Sequence, residues 1–424
     1  MIFPTLQNRS VREQCRSPAL HYTPAVNSER PGSVGEVARY FLRLGLIAFG
    51  GPAAHIAIMR RELVGQRKWT TDADLVDMLG VTNLIPGPNS TELVMHLGAE
   101  RAGIKGLWVA GVLFLLPATT MTIGLAWAYV RWGSTPAGTG IILGVQPFML
   151  AIIVQAIWGL KGVALKGVET FVLVIVVALA AAAGVGEVPL IFGAGFAMMA
   201  VHILVRLLTR SSRRSLAGTV GDARRGVRKG PFRRNLAVVP FAMATSGVAG
   251  VSAWEVFLVF LKIGALLYGS GYVLLAFMQT EFVDHRGWLT QKQLIDAISA
   301  GQFTPGPVFS TAGFAGYLLD GWRGALLATG GIFLPSFVFV TATHSLVPRL
   351  RRSGWAAPFL DGVNAAAVAL MAVVTVRLGL EVLDGWYTAL LFAAGVLILI
   401  RFNPNSAWFV LAGIVAGLVY TGVT

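Results

Sequence analysis

The chain has 424 residues, 55% of them hydrophobic and only 13% charged, with a mean hydropathy of +0.69. A soluble domain carries about 25% charged residues, so a water-facing surface of this size is excluded and most of the surface must face lipid. The formal net charge of +14 does not point to nucleic acid, because the basic residues gather in the tail and in loops between apolar runs, the positive-inside pattern.

Residues 1–35 hold Arg9, Arg12, Arg16 and Arg30 and no apolar core, so they do not read as a cleavable signal peptide but as a disordered cytoplasmic tail. The single cysteine, Cys15, lies there, which excludes an internal disulfide framework, Cys-rich metal sites and iron–sulfur clusters. No metal or cofactor is expected. Two short apolar segments follow. Glu36 to Phe49 breaks at Gly50-Gly51-Pro52, and Thr71 to Ile85 breaks at Pro86-Gly87-Pro88. Each is too short for a comfortable crossing and reads as a re-entrant helical hairpin, with an ordinary span as the alternative. Longer apolar runs at Leu107–Val130, Ile141–Leu160, Phe171–Ala183 and Pro189–Leu208 complete a first transport repeat, 36–208.

A basic linker, 209–235, comes next. Counted from Arg206, this stretch carries nine arginines and Lys229 against the single acid Asp222, and it reads as cytoplasmic. Residues 236–424 then hold a linking span from Leu236 to Val251 and a second repeat. Its long runs are Ala325–Thr343, Phe359–Val376, Trp386–Ile400 and Ala407–Thr421.

The second repeat copies the first. Phe41-Leu-Arg43-Leu-Gly45 returns 219 residues on as Phe260-Leu-Lys262-Ile-Gly264. Gly50 then matches Gly269, Glu62 Glu281, Asp77 Asp296, and Pro86-Gly87-Pro88 Pro305-Gly306-Pro307. After one gap the offset is 218, matching Gly106 with Gly324, Pro117 with Pro335, and Gly144-Val-Gln146 with Gly362-Val-Asn364. Loop charge sets the copies in opposite orientation. Arg60, Arg61, Arg67 and Lys68 face Glu281, Asp284, His285 and Arg286 in the equivalent loop, while Arg349, Arg351 and Arg352 stand where the first copy has only Arg131. The expected fold is an all-α, polytopic integral membrane protein of two inverted homologous repeats. Four hairpins and nine full crossings put the N-terminus in the cytoplasm and the C-terminus in the periplasm.

Broken backbone inside a bilayer survives only where it is buried in protein or lines a cavity. A half-helix that starts after Pro-Gly-Pro aims its free N–H groups and positive dipole end at that cavity. Two such motifs, in inverted copies, define a candidate anion site made of Asn83, Pro86, Gly87, Pro88, Asn89 and Ser90 with Gln302, Pro305, Gly306 and Pro307. The plain alternative is that each motif merely caps a helix at the membrane surface. Arg43 and Lys262 are matched cations in apolar segments, either at the site or snorkelling to the interface. Glu92 and His55 are candidates for proton coupling. Glu92 could equally favour a helix N-terminus, and His55 and His96 are equally open. No phosphate-binding Gly-x-x-x-x-Gly-Lys-Ser/Thr loop occurs, so ATP is not the direct energy source, and no nucleophile–base arrangement supports an enzyme.

These motifs resemble the chromate ion transporter family in its long, two-domain form. The likeness runs from Val37 to Thr421 and is most specific at Phe49-Gly-Gly-Pro52 with Arg60-Arg-Glu62, and at Asn83-Leu-Ile-Pro-Gly-Pro-Asn89. Its second-half parts are Tyr268-Gly-Ser-Gly271 and Gln302-Phe-Thr-Pro-Gly-Pro307. The resemblance implies an inner-membrane carrier that expels chromate on the proton-motive force and confers resistance, with sulfate as the competing oxyanion. Sulfate or oxyanion uptake, or an anion channel with chromate as an incidental substrate, is the alternative. A membrane scaffold without transport is a third reading. The partners expected are chromate, sulfate, protons and the lipid bilayer, with no nucleic acid and a homodimer left open. Ser270-Gly271 replaces Gly51-Pro52 and Gln302 replaces Asn83, which weights the first half for substrate.

Overall fold

The computed structural model describes residues 32–83, 85–216, 251–268, 271–344, 356–402 and 406–423. The tail before residue 32, most of the basic linker and almost all of the predicted span 236–251 lie outside the described residues.

Among the described residues, seven α-helices belong to the first copy and seven to the second. The first set is α1 Val34–Ile47, α2 Gly51–Met59, α3 Asp72–Thr82, α4 Asn89–Trp132, α5 Pro136–Ala164, α6 Val168–Ala182 and α7 Glu187–Leu216. The second is α8 Ala253–Leu266, α9 Leu274–Met278, α10 Gln291–Phe303, α11 Thr311–Thr343, α12 Ala356–Val382, α13 Trp386–Phe402 and α14 Ser406–Val423. The described helices α4, α5, α7, α11 and α12 are long and apolar enough to cross a membrane, and α6, α13 and α14 are shorter apolar helices.

The duplication reaches the details that start each helix. Ser33 and Ser252 cap α1 and α8, accepting from the N–H groups of Glu36 and Trp254. Thr71 and Thr290 cap α3 and α10 in the same way, through Asp74 and Gln293. Such caps satisfy N–H groups that a helix start leaves open. Arg60, at the start of a π-helical turn between α2 and α3, holds Asp72 at the start of α3 through two hydrogen bonds of 2.8 and 3.1 Å, which keep that carboxyl below its ordinary range.

The hairpin expectation accounts for the short helices. α1 has 14 residues, or about 21 Å of helix, well short of a 30 Å hydrocarbon layer. α4 then bends back on itself at Ala102 and Gly103, and α11 does the same at Asp320 and Gly321. Gly103 and Gly321 take φ of 64° and 54°, a region open to glycine. In α4, Gly98 packs against Gly106 and Ala110, and in α11 Gly316 packs against Gly324 and Ala328. Residues eight apart in a straight helix are about 12 Å apart, so each bend is a reversal. The limb 89–101 is thus the returning leg of a hairpin with α3, and 104–132 is the long helix.

The equivalent helices α5 and α12 lie antiparallel. Along α5 and α12, Leu150 meets Gly379 while Lys166, just past α5, pairs with Asp361 at 2.6 Å. α5 also crosses α14 at small residues, where Gly144 lies against Gly413 and Gly417. Glycine lets backbones approach closely in such crossings. Gly144→Leu is therefore expected to cost at least about 1–3 kcal/mol through overpacking. Thermal unfolding of the purified protein in detergent measures it, with Gly159→Leu, a site with open space around it, as the unaffected control.

Candidate functional site

Each helix break is closed by the other copy. The α1 helix ends at the carbonyl of Ala48, which accepts a 2.9 Å hydrogen bond from the N–H of Gly306. The equivalent carbonyl at the end of α8, that of Leu267, accepts a 2.8 Å bond from the N–H of Gly87. An open carbonyl in a membrane interior costs several kcal/mol, and the glycine between two prolines supplies the missing donor. Both glycines have positive φ, 141° at Gly87 and 101° at Gly306. The two Pro-Gly-Pro motifs and the two first hairpins therefore form one interlocked crossing.

On the first-copy side this crossing is polar. Ser90, Thr91 and Glu92 open α4 and are fully buried, as is His55 on α2. His55 Nε2 lies 3.0 Å from the Ala48 carbonyl and Nδ1 lies 3.2 Å from Ser90 Oγ. A carbonyl only accepts, so Nε2 carries the proton and, in neutral His55, Ser90 donates to Nδ1. Glu92 stands beneath Gly87 with Ser336 of α11 beside both, so that a methyl group on Gly87 would run into Glu92 Oε1 and Ser336 Oγ. Thr91 Oγ1, Thr311 Oγ1 and Gln302 Nε2 are buried without a hydrogen-bond partner among the described residues, and Glu92 and Ser336 Oγ have none beyond each other. Buried polar atoms are almost always satisfied, so these open ones make the crossing a candidate binding place. On the second-copy side Ala118 replaces Ser336 and faces Gly306.

Asn83 and Asn89 extend this site. Asn89 donates to Asn83 at 2.6 Å, and both line a cleft of about 370 Å³ shared with Asn364, Lys166 and Asp361. Its counterpart in the other copy, about 310 Å³, is mostly apolar and is crossed by a network in which Tyr129 and Gln146 donate to buried Asp296 at 2.8 and 2.7 Å.

Arg43 and Lys262 occupy a different place. Each is about half exposed and pairs with a glutamate on the returning part of its own hairpin, Arg43 with Glu62 at 3.4 Å and Lys262 with Glu281. Those glutamates sit in two π-helical turns, Arg60–Gln66 and Gln279–His285, at matching positions in the copies. Among the described residues no hydrogen bond or ion pair joins either cation to a Pro-Gly-Pro segment. In the sequence alone nothing sets Ser336, Tyr129 or His344 apart as a site residue. Only the difference between Ser336 and its counterpart Ala118 could have drawn the eye.

The fold and the crossing define a helical, polytopic membrane protein made of two copies of one unit. The chain belongs to the chromate transporter family, whose model, described as "Chromate transporter", matches residues 35–201 and again 254–418. The two matches bear out the duplication. Over 380 residues the chain is 31% identical to the chromate transport protein of Cupriavidus metallidurans, covering 89% of this chain and 90% of that protein. It is 32% identical over 359 residues to the chromate transport protein of Pseudomonas aeruginosa, covering 82% of each. A probable chromate transport protein of Synechococcus elongatus is 29% identical over 374 residues, covering 88% of this chain and 90% of that protein. No solved structure matches the chain.

Proposed function

We propose that this protein is a secondary active transporter that exports chromate across the inner membrane on the proton-motive force and so confers chromate resistance, with sulfate as the competing oxyanion. The observation that carries the reading is the crossing of the two Pro-Gly-Pro breaks beside buried polar side chains that keep hydrogen-bonding capacity to spare. Family membership and the names of the relatives support chromate as the cargo.

The copies are inverted in this reading. Helices α5 and α12 are equivalent by sequence and antiparallel in space, so the operation that relates them reverses the membrane direction. Lys166 and the start of α12 then share the cytoplasmic side, as the loop charges require. The polar cleft opens inward, and the apolar one, crossed by Tyr129, Gln146 and Asp296, faces outward.

At the crossing a tetrahedral dianion is held by the hydroxyls of Ser90, Ser336 and Thr311, the amides of Asn83, Asn89 and Gln302, and the N-terminal end of α4. Its charge has a consequence for Glu92. For a dianion about 5 Å from a carboxylate at an effective dielectric constant of about 20, the repulsion is about 7 kcal/mol. Chromate therefore binds with Glu92 protonated, and the potential, negative inside, carries the net charge outward.

Everted membrane vesicles test the function. On energisation they are expected to accumulate chromate, with sulfate competing and with collapse of the membrane potential abolishing uptake. Uptake that persists after collapse would show that the transport is not driven in this way.

A further inference from the structure

We propose that Glu92, His96 and His344 form a proton path between the oxyanion site and the cytoplasmic face. It rests on the reading that Glu92 is protonated when chromate binds. His96 lies one turn beyond Glu92 on the same limb of α4, about 6 Å further along the axis and on the same face. It is buried, and its Nε2 has no partner among the described residues. Its Nδ1 lies 3.4 Å from Nδ1 of His344, the two rings tilted with centroids 5.6 Å apart. His344 ends α11 and is half-buried. The sequence after it carries Arg349, Arg351 and Arg352, the charge of a cytoplasmic loop.

Three titratable groups thus stand in line from the break in the backbone to a helix end. Ionisable residues at membrane depth are costly and are kept for function. Among the described residues no third His, Cys, Asp or Glu completes a metal-binding set with the two histidines. Among the described residues Tyr268, after α8, is a further titratable group electrostatically close to Glu92, His55 reaches Ser90 two residues before it, and His344 acts on His96.

The transfer balances. To load Glu92, His344 takes a proton from water at Nε2 and gives the one on Nδ1 to Nδ1 of His96. His96 gives its Nε2 proton to a bridging water, which protonates the Glu92 carboxylate. One proton enters and one leaves each ring, both rings end in the opposite tautomer, and the reverse passage restores them.

Stopped-flow mixing of chromate with the purified full-length protein, in weak buffer with a pH-sensitive dye, tests the path at a pH on the alkaline side of the Glu92 titration, where the carboxylate of the free protein is charged and chromate affinity falls with pH. Wild type is expected to take up about one proton per chromate bound, after subtraction of the Glu92→Gln trace, which carries the proton change belonging to chromate itself. His96→Gln and His344→Gln are expected to reach the same final uptake at least about tenfold more slowly. Should His96→Gln fail to fold, His344→Gln at its half-exposed helix end carries the same rate comparison. Uptake at the wild-type rate in the variants, or a smaller final uptake, would overturn the path while leaving Glu92 in its role. No proton uptake by wild type would overturn the reading of Glu92, and the path with it.

Discussion

Gly87→Ala is expected to lower chromate transport at least about tenfold in protein that still reaches the membrane. Two costs coincide there. The backbone φ of 141° is one that side chains rarely adopt, a strain on the order of 1–3 kcal/mol. The added methyl group would also collide with Glu92 and Ser336. Relief of that collision moves either the carboxyl from its place under the motif or the Gly87 N–H from the Leu267 carbonyl. Gly306→Ala carries the same φ penalty at 101° but meets only the Ala118 methyl, at 2.8 Å, so its effect is expected in the same direction and smaller. Gly124→Ala, in a stretch of α4 with open space around it, serves as the control and is expected to transport normally. Tracer uptake by everted vesicles, normalised to membrane-inserted protein, makes the comparison. Normal transport by Gly87→Ala would remove the motif from the site.

Glu92→Gln is expected to bind chromate at all pH values with the same affinity, apart from the titration of chromate itself. The amide has the shape of the protonated carboxyl and cannot acquire charge. Wild type behaves differently. Its affinity is full on the acid side of the Glu92 titration and falls about tenfold per pH unit on the alkaline side, because one proton must be bound before the dianion enters. The two variants of the site therefore converge at low pH and separate as pH rises, with the glutamine variant the tighter binder. Equilibrium binding of labelled chromate across a pH series reads this directly. Parallel curves for wild type and Glu92→Gln would show that Glu92 is a structural residue at a helix start.

The hairpins, the duplication and the polar break were legible in sequence because each is written locally and then written again. Gly45 and Gly264, or the two Pro-Gly-Pro motifs, announce themselves by recurring at one offset in otherwise diverged apolar chain. The opposite orientation proposed for the copies rests on loop charge in the same way, since lysine and arginine act near the helix ends that carry them. Contacts between the copies were not legible. The bond from Gly87 to Leu267 joins residues that no periodicity relates, and Ser336 is one serine in an apolar run until α11 is laid beside α4. The pairing of Arg43 with Glu62 was visible only as two separate matches, because the π-helical turn that returns Glu62 to α1 has no pattern of its own in the sequence.

The central claim is that one oxyanion sits where the two breaks cross, touched by both copies. Equilibrium binding of radiolabelled chromate to the purified protein tests it most directly, comparing wild type with Ser90→Ala in the first copy and Ser336→Ala in the second. One chromate per chain is expected, with a loss of affinity in each variant of about ten- to a hundredfold, the worth of one hydrogen bond to a charged group. Two chromates per chain, or affinity untouched by both substitutions, would contradict it.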